Sequence, residues 1–129
     1  MLDHTGIVVS DLAKARKFYD AVANALGLSI VSPHKDFFLL GRGPGQIPNL
    51  WIGILRPSYW VEGSRAGINQ MHVAFVAKDK AMVDEFYRAT LAAGGRDYGK
   101  PGPRDGAVSA YYGAFVLDPD GNNIEAVAR

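Results

Sequence analysis

The chain contains an internal repeat in which residues 4–27 align with residues 72–95 at a constant offset of 68. Nine of the 24 aligned positions are identical without a gap. Unrelated segments of average composition would share roughly one or two. The matched positions include His4 with His72. We therefore predict that the chain is built from two copies of one structural unit.

The first unit, residues 1–56, is predicted to fold as βαβββ. A run ending in β-branched residues at 2–9 indicates a strand. Asp11 then stands where a helix N-cap belongs, apolar residues follow at helical spacing, and Gly27 supplies the C-terminal stop. Three further strands are predicted between turns rich in Pro and Gly, at residues 28–32, 36–41 and 49–56.

The second unit, residues 70–129, repeats this order after a connection at 57–69. A strand at 70–77 precedes a helix that Asp79 caps and that two glycines end. The remaining predicted strands are a short one near residues 96–98, followed by a Gly/Pro loop, and two longer ones at 110–117 and 122–128. The expected fold class is α+β, as one domain of two tandem modules spanning residues 1–129.

Composition narrows the function classes. The chain has 129 residues and a formal net charge of +1, which gives no electrostatic case for nucleic-acid or membrane partners. It contains no cysteine, which excludes disulfides, thiolate zinc sites and thiol catalysis. The N-terminal sequence lacks signal-peptide character, so we expect a cytoplasmic protein.

Three residues form a candidate metal site. His4 and His72 occupy matching places near the start of equivalent strands, and a pseudo-twofold axis would bring them face to face. Glu125 lies in the apolar last strand, where a carboxylate is costly unless paired or ligated. Two imidazoles and one carboxylate suit Fe, Mn, Ni or Zn with coordination positions left open. Two hydrogen-bonded polar histidines in a sheet are the alternative.

Three segments of the chain resemble the vicinal oxygen chelate superfamily, which includes glyoxalase I, extradiol dioxygenases and bleomycin-binding proteins. They cover the start, the middle and the end of the chain and read DHTGIVVSDLAKARKFYDAV, QMHVAFVAKDKAMVDEFY and YYGAFVLDPDGNNIEAV. The resemblance implies paired βαβββ modules whose mixed sheets form a cup around a divalent metal. It also implies pairing of modules across a homodimer.

The resemblance assigns the metal ligands to His4, His72 and Glu125. The fourth ligand of glyoxalase I, a Glu that closes the first module, is placed on Gly53 by comparison of the two last strands and is therefore absent. Bidentate chelation of substrate oxygens by the metal is the shared chemistry that the resemblance implies. Glu125 is expected to act as a ligand or, alternatively, as a catalytic base.

Other residues are expected to contact a small-molecule substrate. Tyr112 is the candidate hydroxyl donor to an oxyanion, with a packing role as the alternative. The predicted lining of the site consists of Trp51, Gly53, Phe38 and Trp60. Lys100 and Arg104 are expected to be solvated loop charges, with contact to an anionic group as the alternative.

Three functions remain open from the sequence. The leading hypothesis is a metal-dependent lyase or isomerase of the glyoxalase type. A ring-cleaving dioxygenase with Fe(II) is the second hypothesis. A metal-free protein that sequesters a drug or metabolite, as bleomycin-resistance proteins do, is the third.

Overall fold

The computed structural model describes residues 1–106 and 108–129 and shows the βαβββ order twice. The first module contains β1 (His4–Val8), α1 (Leu12–Leu26), β2 (Ser29–Val31), β3 (Phe37–Gly41) and β4 (Asn49–Gly53). The second contains β5 (His72–Val76), α2 (Lys80–Ala92), β6 (Arg96–Arg104), β7 (Tyr111–Leu117) and β8 (Asn123–Ala128). The prediction of two tandem α+β modules is confirmed.

Each module forms one mixed four-stranded sheet. The strand order is β1-β4-β3-β2 in the first sheet and β5-β8-β7-β6 in the second. In both sheets the first strand runs parallel to the last, and the other pairs are antiparallel. The offset of 68 found in the sequence relates β1 to β5 residue for residue, and it also relates the first residues of the two helices.

Both helices begin as the sequence predicts. The Asp11 side chain accepts a hydrogen bond from the Lys14 amide at 3.0 Å, and Asp79 accepts one from the Met82 amide at 2.9 Å. These carboxylates satisfy amides that the first turn of a helix leaves without partners. Gly27 ends α1 with φ of 65°, a left-handed conformation that glycine adopts without strain.

One face of each sheet is covered by a helix, and these covered faces contribute to a single apolar core. The two helices also pack against each other. The most deeply buried large side chains of this core are Phe18, Tyr19, Phe38, Phe86, Ile52 and Ile124. The other face of each sheet carries the alternate residues of the strands and is not covered by a helix. We call it the open face.

The turn between β7 and β8 joins the two modules. Its Asp118 is fully buried and accepts a hydrogen bond of 2.8 Å from the Tyr19 hydroxyl of α1. Asp118 also accepts bonds from the Asn122 backbone and side-chain amides, each at 2.8 Å. Asp120 accepts a bond from the Ser10 amide at 2.9 Å. The modules are therefore connected by polar contacts as well as by the core.

Two predicted boundaries are wrong. The Gly/Pro segment at 100–104 is part of β6, which runs from Arg96 to Arg104 and pairs irregularly with β7. Because β6 is an edge strand, a proline there need not remove a bond of the sheet. At the other position, β4 ends at Gly53, and residues 54–71 form no helix or strand. The strand predicted at 49–56 is therefore three residues shorter than expected. No helix in the described residues is long and apolar enough to cross a membrane.

Candidate functional site

His72 and Glu125 form a side-chain pair on the open face of the second sheet. Parallel pairing places Glu125 of β8 beside Ala74 of β5, so His72, two residues earlier on β5, lies on the same face. His72 Nε2 is 3.2 Å from Glu125 Oε2. The Glu125 side chain is 5% exposed and the His72 side chain is 51% exposed. The pair therefore presents a buried carboxylate beneath an accessible imidazole.

The second oxygen of Glu125 has no hydrogen-bond partner of ordinary geometry among the described residues. Oε1 is buried and accepts no hydrogen bond within the described parts of the chain. Buried polar atoms in folded proteins nearly always have a partner, because an unpaired carboxylate oxygen forfeits its hydration without compensation. A cation bound at this oxygen would supply that partner. The donor set, one carboxylate with one imidazole, fits a divalent transition metal that still lacks at least one protein ligand.

Tyr111 shares the open face with Glu125. Antiparallel pairing sets Phe115 opposite Glu125, and alternation along β7 then brings Gly113 and Tyr111 to the same side. The Tyr111 ring leans over Gly113, where a Cβ would meet it at 2.7 Å. The pKa of the Tyr111 hydroxyl is raised, chiefly by the Glu125 carboxylate and then by burial. Tyr111 is thus the tyrosine whose hydroxyl is close to the carboxylate.

The expected position of Tyr112 is wrong. Its side chain lies on the helix-covered face, where the hydroxyl donates a 2.8 Å hydrogen bond to Asp84 of α2. The Lys80 ammonium group of the same helix lies 5.4 Å from the Tyr112 ring centre. Since neighbouring residues of a strand point to opposite faces, Tyr112 and Glu125 lie on opposite sides of the sheet. Alternation along β7 could have identified Tyr111 only together with the register of β7 against β8 across the Asp118–Gly121 turn.

The counterpart of Glu125 in the first module is Trp51 rather than Gly53. Trp51 pairs with Gly6 in the first sheet, as Glu125 pairs with Ala74 in the second, and Gly6 and Ala74 are related by the repeat. The Trp51 indole lies over Gly53, where an added Cβ would overlap it. Gly53 therefore makes room for Trp51 instead of for a ligand. The first module still lacks a carboxylate at this position.

The open face of the first sheet is aromatic. The Phe37 and Trp51 rings stack with centres 5.8 Å apart, and His34 stacks on Phe37 at 4.7 Å. Together with His4 and Tyr59, the Phe37 and Trp51 rings border an open depression of about 780 Å³. His4 is mostly exposed and contacts Asp3 through Nδ1 at 2.8 Å. This face presents a flat apolar wall beside an accessible imidazole.

The three predicted ligands do not converge within one chain. Nowhere in residues 1–106 and 108–129 do three or more His, Cys, Asp or Glu side chains come together as a metal site. His4 borders the depression on the first sheet, whereas His72 borders a separate one with Tyr98 and Asn123. The expectation that His4 and His72 face each other is therefore wrong for a single chain.

Two predicted lining residues lie elsewhere. Phe38 is 2% exposed and packs in the core, where its ring lies 6.2 Å from that of Tyr19. It points to the helix side because β3 alternates, so Phe37 and Leu39 take the open face. Trp60 is half-buried in the connection, where it borders a smaller depression with Gly6 and Val8.

A family model matches this architecture over nearly the whole chain. It is described as the Glyoxalase/Bleomycin resistance protein/Dioxygenase superfamily and matches residues 1–126. The chain belongs to this superfamily. The superfamily hosts several chemistries, so membership establishes the fold and leaves the reaction to be argued from the site.

Similar proteins support this assignment. Protein YqjT of Bacillus subtilis (strain 168) is 30% identical over 134 residues, with 98% of each chain covered. The crystal structure of a glyoxalase/bleomycin resistance protein from Albidiferax ferrireducens T118 is similar, with 33% sequence identity and a TM-score of 0.79. The match covers 100% of the present chain and 99% of the Albidiferax chain. A lactoylglutathione lyase from Agrobacterium tumefaciens is 21% identical, with a TM-score of 0.63 and coverage of 99% and 92%, and shows similarity of fold alone.

Proposed function

We propose that this chain is a divalent-metal-dependent enzyme of the glyoxalase/dioxygenase type that acts on a small organic substrate with two vicinal oxygens. The observation that carries the proposal is the buried Glu125 carboxylate, whose Oε1 lacks a hydrogen-bond partner among the described residues and whose Oε2 contacts His72. A binding protein without a metal has no evident use for such a costly arrangement. Fe, Mn, Ni and Zn all accept this donor set.

We assign the third ligand to His4 of a second copy of the chain. The superfamily typically forms dimers, and His4 and His72 occupy equivalent positions on two open faces. A second copy that lays its first sheet over this second sheet would close the two open faces into a cup. Large apolar side chains exposed near the connection suit coverage by such a copy; they are Leu55, Tyr59, Val61 and Ile68.

The bound metal would act as a Lewis acid on the chelated substrate oxygens. Around it, the chain's own residues have separate tasks. Glu125 and His72 would hold the cation, and Glu125 would alternatively act as the base that takes a proton from the substrate. The Tyr111 hydroxyl, close to Glu125, is placed to donate a hydrogen bond to a developing oxyanion. The Trp51 and Phe37 rings would exclude water from the opposite wall.

Lyase or isomerase chemistry is the favoured reaction, and ring cleavage with Fe(II) is the alternative within the same site. Both need a metal with open positions, and they differ in the need for a redox-active ion and oxygen. Turnover of a vicinal-oxygen substrate that persists with Zn under anaerobic conditions would assign the lyase or isomerase reaction. Activity confined to Fe(II) and oxygen would assign the dioxygenase.

Sequestration of a flat hydrophobic molecule is a second candidate function. The observation that favours it is the stack of His34, Phe37 and Trp51 beside an open depression. Aromatic surfaces of this kind bind flat ligands without requiring a metal. Under this function the stack would bind ligand in the absence of any cation.

Metal analysis of protein purified without a histidine tag or a chelator tests the proposal. We expect near-stoichiometric uptake of one of the four metals, and loss of uptake in His72→Ala and Glu125→Gln. His34→Ala is the matched control, because His34 is another histidine close to a carboxylate, Asp36 at 3.8 Å, but belongs to the turn between β2 and β3 of the first module. Absence of uptake for all four metals would reject the enzyme and favour sequestration.

A further inference from the structure

Arg104 lies on the same open face as the His72–Glu125 pair. It is opposite Tyr111 in the pairing of β6 with β7, so both side chains point to the same side of the sheet. Its guanidinium group lies 5.6 Å from the centre of the Phe115 ring. The sequence placed Arg104 in a solvated loop, whereas the structure places it in a strand beside the candidate site.

The guanidinium group of Arg104 is held by two hydrogen bonds to carbonyl groups of its own strand. Its Nη1 donates to the Pro103 carbonyl at 3.0 Å, and its Nη2 donates to the Lys100 carbonyl. Gly102 leaves room for it, because a Cβ there would lie 3.2 Å from Nη1, whereas a Cβ at Gly99 would make an ordinary contact with Nη2 at 3.5 Å. These contacts reduce the side-chain entropy that binding a ligand would otherwise cost.

A continuous row of groups connects Arg104 with the metal donors. The centre of the Phe115 ring lies 5.6 Å from the guanidinium carbon and 6.3 Å from the centre of the His72 imidazole, at an interplanar angle of 29° to the imidazole. Its strand, β7, lies between β8 and β6 in the sheet. Phe115 is also directly opposite Glu125 in the sheet. A ligand that reaches from the His72–Glu125 pair across Phe115 would therefore arrive at Arg104.

In the part of the chain that the structure describes, no carboxylate neutralises the charge of Arg104. Within residues 1–106 and 108–129, no Asp or Glu oxygen lies within 4.0 Å of its guanidinium nitrogens. Its two hydrogen bonds go to neutral carbonyls and leave further donors of the five-donor group for a ligand. The planar guanidinium group matches the paired oxygens of a carboxylate or a phosphonate.

We propose that Arg104 binds an anionic group of the substrate, one aromatic ring's width from the oxygens that chelate the metal. The inference rests on the proposed function for the position of the chelating end. It narrows the substrate class to small molecules that carry a metal-chelating pair of oxygens at one end and a carboxylate or phosphonate at the other.

Calorimetric titration of the zinc-loaded protein tests the inference with three probes. Benzohydroxamate supplies the chelating oxygens alone, and its 4-carboxy and 4-phosphono derivatives add the anion across the ring. We expect the anionic probes to bind about 10- to 100-fold more tightly than benzohydroxamate. Whichever anion shows the larger gain is the group that the site prefers. Equal affinity for all three probes would overturn the inference.

Variants separate the role of Arg104 from general charge. Arg104→Gln should remove the preference for the anionic probes and leave the affinity for benzohydroxamate unchanged. Arg104→Lys should retain part of the preference for the anionic probes. Arg88→Gln is the matched control, because it also removes one positive charge but from an exposed pair with Glu85 on α2. A preference that survives in Arg104→Gln would overturn the inference.

A titration of the metal-free protein distinguishes failure of this inference from failure of the proposed function. Benzoate and benzamide are titrated into the apoprotein while the Arg104 Nε–Hε resonance is followed by NMR. We expect a saturable shift with benzoate alone, absent in Arg104→Gln. If zinc fails to recruit benzohydroxamate but benzoate still shifts Arg104, the metal enzyme is rejected and the anion site stands. No shift with benzoate would reject the anion site.

Discussion

At the scale of single residues, the two adjacent tyrosines of β7 have different partners. The pKa of Tyr111 is raised chiefly by Glu125 and that of Tyr112 chiefly by its hydrogen bond to Asp84. A negative neighbour disfavours the tyrosinate. We therefore expect Glu125→Gln to lower the pKa of Tyr111 alone and Asp84→Asn to lower that of Tyr112 alone, when measured by NMR of ring-labelled tyrosine in the metal-free protein.

Assignment of the two resonances in Tyr111→Phe and Tyr112→Phe provides the control for this crossover. If both tyrosines respond to Glu125→Gln, the carboxylate acts across the sheet, and the opposite orientation of the two rings is refuted. If neither responds, Tyr111 is too far from Glu125 to serve as an oxyanion donor beside it.

Gly53 supports the aromatic wall of the first sheet. A Cβ at this position would overlap the Trp51 indole and lie 2.7 Å from the Phe37 Cβ. Since both neighbours are held in the ring stack, Gly53→Ala should lower the free energy of unfolding by about 1–3 kcal/mol. Chemical denaturation measures this change. In a Trp51→Ala background the loss should shrink, and an unchanged loss would show that the indole does not cause it.

The face of the sheet that a side chain takes was predictable relative to its neighbours in the same strand. It was not predictable relative to residues of another strand, because the two strands must first be placed in register. The sequence correctly put Glu125 on the face opposite Ile124. It misplaced Tyr112 by one residue and aligned Gly53 instead of Trp51 with Glu125. A shift of one residue in register moves a side chain to the other face, and turn sequences do not determine the register uniquely.

At the scale of elements, the bond from Tyr19 in α1 to Asp118 before β8 links the two modules. Both residues are fully buried, so removal of the hydroxyl leaves a carboxylate oxygen with one donor fewer. Tyr19→Phe should lower the free energy of unfolding by about 1–3 kcal/mol. Tyr87, at the repeat-related position on α2, is only half-buried, so Tyr87→Phe should lower the free energy of unfolding by less. Equal losses in thermal or chemical unfolding would contradict a special role for the link.

The same link predicts a pH dependence of stability. Burial is the main reason that the pKa of Asp118 is raised above its ordinary value of 3.8. The folded protein thus holds this proton more tightly than the unfolded chain, and the resulting stability is complete below the unfolded pKa and lost as the pH rises through the folded pKa. Asp118→Asn cannot lose a proton, so its stability relative to wild type should improve as the pH rises through this range.

Denaturant unfolding of both proteins at several pH values above 3.5 measures that difference. A difference in the free energy of unfolding that is the same at every pH reflects hydrogen bonds that the amide introduced by Asp118→Asn forms or loses. The change of this difference with pH reports the proton of Asp118. A constant difference across the range would show that the carboxyl has the same pKa in the folded and unfolded states.

Helices were easier to predict than the edge of the second sheet. Asp11 and Asp79 cap their helices through local hydrogen bonds, so four residues contain the whole signal. The strand β6 contains Gly99, Pro101, Gly102 and Pro103, which usually indicate a loop. It is a strand because the neighbouring β7 supplies partners, a tertiary effect that local propensity cannot express.

At the scale of the whole molecule, the repeat predicts two modules and leaves open how they pack. In this chain the helix-covered faces share one core, and α1 packs against α2. The two open faces then lie on the outside of that core. His4 and the His72–Glu125 pair are therefore separated, although the repeat makes their positions equivalent. Sequence identifies such equivalent residues, but the packing of modules decides which copy of the chain joins them.

Mixed dimers of two inactive variants test this arrangement. His4→Ala keeps His72 and Glu125, and Glu125→Gln keeps His4, so a site shared between copies is intact once in each mixed dimer. A mixed dimer purified through two different affinity tags, neither of them histidine-based, should bind about half the metal of a wild-type dimer, whereas each variant alone binds none. If every site instead belongs to one chain, both halves of the mixed dimer are defective and metal content stays at the background. A wild-type monomer in sedimentation analysis would likewise exclude the shared site, because His4 of a second copy would then be missing and the buried Glu125 oxygen would need another partner.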